Sequence, residues 1–203
     1  MKQYVSIPRT IHYGLPVYMF DKLDGSNVRA EWTRKGGFGK FGSRRRLIGS
    51  DQPYLEEAED LMLSWEDSLV EVFTKQRWDK VTAFFEFWGP SSFAGKHVQE
   101  SHRVSLIDVD IYKKGILRPK EFVDLFGHLE IAKLLYHGSM THPIEDQIRS
   151  GTLPGITFEG VVCKALPLKN GYPPLMFKIK TDAWVEKLKA HCAGDEKLFQ
   201  LLL

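Results

Sequence analysis

Cysteine is scarce in this 203-residue sequence, with only Cys163 and Cys192. Two cysteines do not make a disulfide framework, so a reducing cytoplasm is the expected setting. The start, Met1-Lys2-Gln3-Tyr4-Val5, lacks the apolar core of a signal peptide. No stretch is long and apolar enough to span a membrane, which leaves a chain with no membrane role. Strong charge of either sign is also missing. A net charge of +2 excludes nucleic-acid binding by bulk charge, while leaving room for a local basic patch. There are no internal repeats, low-complexity segments or evident linkers. The length suits one domain able to bury a real core, and the 43% apolar and 27% charged fractions are ordinary for a globular protein.

What is present is a series of short strand-like runs with chemistry at their ends. Val17-Tyr18-Met19-Phe20 reads as a buried strand. It leads into Lys22-Leu23-Asp24-Gly25-Ser26-Asn27, where Asp24-Gly25 reads as a tight turn. A lysine there is either a solvated surface residue or one held where backbone can approach a phosphate. Residues 27–34 alternate, with Val28, Ala30 and Trp32 against Arg29, Glu31 and Thr33. This predicts a half-buried strand, returned as a hairpin by residues 38–47. Within that return, residues 37–42 match G-x-G-x-x-G by letter. Ser43-Arg44-Arg45-Arg46 follows instead of a helix, which excludes the dinucleotide-binding reading. The arginine run is either a solvated edge or a guanidinium offered to a phosphate.

Residues 51–76 carry Leu55, Ala58, Leu61, Met62, Trp65, Leu69, Val72 and Phe73 at helical spacing. They predict one long amphipathic helix, with the Leu61 and Trp65 stripe packed on a sheet. Residues 81–88 predict an apolar strand holding one acid, Glu86, which faces either solvent or a polar site because burying it alone is costly. In residues 104–112, parity puts Val104, Leu106, Asp108, Asp110 and Tyr112 on one strand face. Residues 119–137 show helical patterns, residues 143–149 a short helix stopped by Gly151, and residues 181–203 further helix. Residues 158–164 and 175–180 predict two more strands. In the second, period-2 geometry places Lys178 and Lys180 on one face. Two like charges there suit an anion in front of them, or a solvent-facing edge strand. The seven histidines show no ligand spacing. The strands and flanking helices together predict an α+β fold of antiparallel sheets.

The ordered set Lys22-Leu23-Asp24-Gly25, Phe85-Glu86-Phe87-Trp88-Gly89, Glu159-Gly160-Val161-Val162 and Lys178-Ile179-Lys180 resembles motifs I, III, IV and V of the lysine-dependent covalent nucleotidyltransferases. That superfamily includes ATP-dependent DNA ligases, RNA ligases and mRNA capping enzymes. Gly25-Ser26-Asn27 is similar to the nick-sealing RNA ligases. The resemblance implies an ATP-grasp-like nucleotidyltransferase domain, with a central nucleotide cleft, spanning residues 1–203. Only 23 residues follow Lys180, too few for the OB-fold domain that DNA ligases and capping enzymes carry.

The implied activity is an ATP-dependent RNA ligase: self-adenylation, transfer of AMP to a 5′-phosphate end, and sealing with a 3′-hydroxyl. A DNA-nick ligase, a GTP-using capping domain, or a non-catalytic module that binds nucleic-acid ends are the alternatives. ATP and Mg²⁺ are the implied cofactors, RNA or DNA ends the implied partners, and a monomer the implied state. By the same resemblance, Lys22 is the nucleophile, and Asp24 and Asn27 position the lysine, phosphate or metal waters. Arg44 contacts phosphate, with Arg45 second, and Glu86 contacts the ribose. Glu159 serves the metal, and Lys178 and Lys180 hold the α-phosphate. Adenine is read by backbone near Asp21, with the stacking residue on or beside the strand 104–112. The chemistry requires such company. An amine with a pKa near 10.4 is only about 0.04% neutral at pH 7, whereas a pKa of ~8 makes about 10% available. Burial and nearby cations do that lowering.

Overall fold

The computed structural model describes residues 1–48, 55–167 and 172–203. The chain divides into two units, one of Met1–Ser6, Gly25–Ala132 and Pro167–Pro174, the other of Ile7–Asp24, Lys133–Leu166 and Leu175–Leu203. Each is built on one antiparallel sheet with helices on its apolar face, so the α+β expectation holds.

The first unit carries β2 (Gly25–Thr33), β3 (Gly37–Ser43), β4 (Lys80–Trp88), β5 (Arg103–Ile111) and β6 (Gly115–Ile116), in the order β3-β2-β4-β5-β6. Val28, Ala30, Val81, Ala83, Phe85, Leu106 and Val109 are fully or almost fully buried. The helices α1 (Glu56–Leu63), α2 (Glu66–Lys75) and α3 (Pro119–Phe126) supply the aromatic cover. Phe73 of α2 meets Trp32, Trp78 and Phe126, and Trp65 stands edge-on to Phe85. Each fully buried Phe contributes about 1.5–3 kcal/mol, which makes this cluster the anchor of the sheet.

The hairpin forms as predicted, and the rejected glycine pattern lies in β3. Three expectations change. The long helix is two helices, interrupted at Ser64 and Trp65, and residues 51–54 lie outside the described residues. Of its stripe, Leu55, Ala58, Met62, Leu69 and Phe73 are buried, whereas Leu61 and Trp65 are half-buried. The parity of β5 is broken. Phe84 pairs with Asp108 but Phe85 pairs with Leu106, so a bulge at Ile107 puts Asp108 and Asp110 on the face opposite Leu106. Finally, β2 is buried on both faces. Arg29 and Glu31 are 3% and 6% exposed, because Arg29 Nη1 donates to the Lys2 carbonyl (2.8 Å) and Lys80 Nζ lies 2.9 Å from Glu31.

The second unit carries β1 (Pro16–Asp21), β7 (Leu134–Ser139), β8 (Gly160–Ala165) and β9 (Leu175–Lys180), in the order β7-β1-β8-β9. Val17, Met19, Val161, Cys163, Phe177 and Ile179 form its apolar face, joined by Ile148 of α4 (His142–Arg149) and by Leu153. The end of the predicted 119–137 helix is instead β7, which pairs with β1. The C-terminal helical stretch is two helices, α5 (Asp182–Cys192) and α6 (Glu196–Leu202), parted at Ala193, which is left-handed (φ 47°). On the other face of the sheet, register aligns Phe20, Val162 and Lys178, and next to them Gly160 and Lys180.

Candidate functional site

In the second unit the sheet ends gather three charged side chains. Lys22 follows directly on β1, and its backbone N–H donates to the Gly160 carbonyl (2.9 Å). Glu159 immediately precedes β8, and Lys180 closes β9 opposite Gly160. Lys22 Nζ stands 2.8 Å from Glu159 Oε1, and Lys180 Nζ donates to the same oxygen. Gly160 makes this crossing possible. Its φ of +141° is a glycine conformation, and a Cβ there would collide with the Ile179 carbonyl oxygen.

Burial raises the cost of charge throughout the cluster. For Glu159, burial pushes the pKa up, but the Lys22 and Lys180 ammoniums outweigh it and hold the carboxyl below its usual value. Lys180 goes the other way. Burial, then the Lys22 and Lys178 charges, bring it down to about 7 against the pull of Glu159. The Lys180 ammonium also lies 3.4 Å from the centroid of the Trp184 ring, close enough for a cation–π contact. Trp184 sits in the first turn of α5, which is capped by Thr181 Oγ1 accepting from the Trp184 N–H (3.1 Å). Sequence reading missed Trp184. Its signal was a threonine ending the strand, three residues before an aromatic at a helix start.

The other predicted residues of this unit lie nearby with other partners. Lys178, half-buried, donates to the Leu203 carbonyl (2.9 Å) while still acting electrostatically on Lys180. Asp21 is buried. Its carboxylate accepts from the Thr157 N–H (3.0 Å) and hydroxyl (2.8 Å), and its own N–H donates to the Lys133 carbonyl (2.8 Å). Burial raises the Asp21 pKa, against the lowering by Thr157 and Lys133. Asp24 is half-buried at a bend, where the chain leaves the second unit. Gly25 is not in a left-handed turn. It begins β2, and a Cβ there would collide with the Phe87 carbonyl oxygen, so strand packing in the first unit accounts for this glycine.

In the first unit, Asn27 and Glu86 are direct partners across β2 and β4, and Asn27 Nδ2 lies 3.4 Å from the Phe85 carbonyl. Asn27 Oδ1 is buried with no protein partner. Glu86 is half-buried, and Arg44, Arg45 and Arg46 are exposed just after β3. Glu86 and Arg44 both act on the Tyr4 hydroxyl, which donates to Asp108. Tyr4 is itself raised well above the usual tyrosine range, first by burial and then by Asp108. It packs against Phe84 at 4.9 Å between centroids. The irregular lead-in gave no sign of this role, because Tyr4 reaches β5 across most of the unit's sequence.

Among the described residues, no group of three His, Cys, Asp or Glu side chains could hold a metal ion. Nor is any helix long and apolar enough to cross a membrane.

No protein-family model and no curated protein sequence matches the chain. Solved structures do. An archaeal ATP-dependent RNA ligase is similar over 95% of this chain and 52% of its own, with a TM-score of 0.67 and 17% identity. The Naegleria gruberi RNA ligase with PPi is similar over 88% of this chain and 53% of its own, with a TM-score of 0.60 and 19% identity. A lysine-to-alanine variant of that ligase, with ATP and Mn, is similar over 86% and 52%, with a TM-score of 0.60 and 17% identity. At such identities the likeness is one of fold. The chain shares the fold of the matched part of these RNA ligases and spans about half the length of each.

Proposed function

We propose that the chain is an ATP-dependent RNA ligase acting through a covalent lysine–AMP intermediate. The observation that carries this reading is the sharing of one carboxylate oxygen of Glu159 by Lys22 and Lys180, within a fold also found in ATP-dependent RNA ligases. In the first step the neutral Lys22 amine attacks the α-phosphorus of ATP. The N–P bond forms, the nitrogen gives up a proton, the bond to the β-phosphate oxygen breaks, and pyrophosphate leaves with that electron pair. In the second, a 5′-phosphate oxygen takes the AMP as the P–N bond breaks, and the Lys22 nitrogen takes up a proton and leaves as the amine. In the third, a 3′-hydroxyl oxygen attacks that 5′-phosphate, its proton is lost, and AMP departs.

Lys22 is favoured over Lys180 as nucleophile by access, since their side chains are 22% and 6% exposed and Trp184 covers Lys180. Lys180 and Lys178 hold the α-phosphate and meet the charge that grows on it. Glu159 keeps both ammoniums in place before the nucleotide arrives. Asp24 and Asn27 position the lysine and the phosphate, Arg44 contacts phosphate, Glu86 contacts the ribose, and the backbone beside Asp21 reads adenine. The donor set suits a hard cation held mainly by phosphate and water, to which Glu159 would contribute a single oxygen. Such an ion, Mg²⁺ by this reading, would offset negative charge on the triphosphate.

The test is incubation with α-labelled ATP and Mg²⁺, followed by peptide mapping. Expected are released pyrophosphate and an acid-labile AMP adduct on Lys22. Lys22→Ala and Lys22→Arg should form none, the latter because a guanidinium stays protonated. An adduct on Lys35 or Lys164, or undiminished labelling of Lys22→Ala, would overturn the reading. A GMP adduct formed in preference to AMP would favour a capping domain.

A further inference from the structure

The first unit holds a cavity of about 790 Å³ away from Glu86 and Arg44. The β5–β6 turn, the residues leading into α3, and residues 172–174 line it. Its floor is electrically balanced, with Lys2 paired to Asp110 and Lys80 to Glu31. Its rim is not. Lys113, Lys114 and Arg118 are all exposed there, and among the described residues the rim carries one carboxylate, Glu121. Two large aromatics stand on the same rim, Tyr112 at 60% and Tyr172 at 66% exposure. The Lys113 ammonium lies 5.4 Å from the centroid of the Tyr112 ring, so charge and ring are presented together. Lys113 also adopts a left-handed conformation, with φ of 65°, which a lysine holds at some cost.

We propose that this rim is a binding surface for a single-stranded stretch of polynucleotide, with phosphates on Lys113, Lys114 and Arg118 and bases stacked on Tyr112 and Tyr172. Excess positive charge selects a polyanion. The two exposed rings select one with several bases, because a mononucleotide has only one base to stack. Ring stacking tolerates any sequence, so the surface grips a strand without reading it. The identity of the ligand rests on the RNA-ligase reading; the complementarity of charge and rings does not.

The test uses the full chain and a fluorescent single-stranded RNA 12-mer lacking a 5′-phosphate, which cannot be adenylated. Anisotropy gives Kd at several salt concentrations, with self-adenylation by ATP as a parallel readout. Lys113→Gly combined with Lys114→Ala removes two charges and relaxes the left-handed residue, so it should fold. It should weaken binding roughly tenfold and flatten the log Kd against log salt slope by about 1.4, at ~0.7 per phosphate contact for single strands. Tyr112→Ala with Tyr172→Ala should weaken binding at least as much while leaving the salt slope unchanged. Wild-type affinity and slope in both pairs would overturn the proposal. So would competition by inorganic tripolyphosphate as effective as that by unlabelled RNA, which would mark a small-anion site. Normal self-adenylation with unchanged RNA binding sinks this inference alone. Lost binding in the variants of a chain that never adenylates sinks the ligase reading alone.

Discussion

The buried Lys180 makes a prediction about stability that requires no substrate. Its pKa of about 7 against a usual 10.5 means the folded chain binds fewer protons than the unfolded one between those values. Stability contributed by this group therefore rises with pH across that window, at up to ~1.4 kcal/mol per unit. Below about pH 7 both states carry the proton, and the folded state bears the whole penalty, on the order of 5 kcal/mol for a displacement of this size. Between pH 6 and pH 9 the relief amounts to about 2–3 kcal/mol. Glu159 does not confuse the window, because its lowered pKa acts only at acidic pH. Lys180→Met removes the titration and leaves an apolar chain against Trp184, a favourable thioether–ring contact. Urea unfolding of wild type and variant from pH 6 to pH 9, followed by tryptophan fluorescence, measures the difference. The wild type should gain on the variant by about 2–3 kcal/mol as pH rises. A difference flat across that range would show that Lys180 keeps its ordinary pKa and that the cluster is not as dry as its burial indicates.

Two further predictions concern parts of the same unit. Lys178→Ala should keep the fold and slow self-adenylation by roughly 10²–10³, the cost of losing one preorganised charge on a developing anion. Adenylation at the wild-type rate would reduce β9 to a structural strand. Gly160→Ala places a methyl against the Ile179 carbonyl at a positive φ, so the thermal midpoint should fall by the equivalent of about 1–3 kcal/mol. An unchanged melt would mean that the β8–β9 register yields more easily than its ladder of paired residues suggests.

Where the sequence spoke clearly, local periodicity carried the information. Apolar runs such as residues 17–20 and 81–88 became β1 and β4, because a strand buried on its sheet needs little beyond its own side chains. Where it spoke unclearly, distant partners decided. Arg29 and Glu31 look like a solvated strand face until Lys2 and Lys80 satisfy them. Asp108 and Asp110 share a parity with Leu106 until one bulge rotates them away. Residues 134–137 read as a helix tail, and become part of β7 through pairing with β1. The cluster was legible as residue types and order. The sharing of one oxygen atom, the Trp184 contact and the Thr157 grip on Asp21 are tertiary facts, with only faint local traces.

The charge balance of the cluster bears directly on which lysine would react in the proposed self-adenylation. Two ammoniums on one carboxylate leave a surplus of one positive charge. Burial and the Lys22 charge together make Lys180 readily discharged in the free protein. A neutral Lys180, however, is the less exposed of the two amines, with the Trp184 ring against it. An anion arriving in front of Lys180 opposes that discharge, since nearby negative charge favours the ammonium. It thereby restores a like charge beside Lys22. In the proposed reaction that leaves Lys22, the more exposed amine and the one fixed by its backbone bond to Gly160, as the group that attacks.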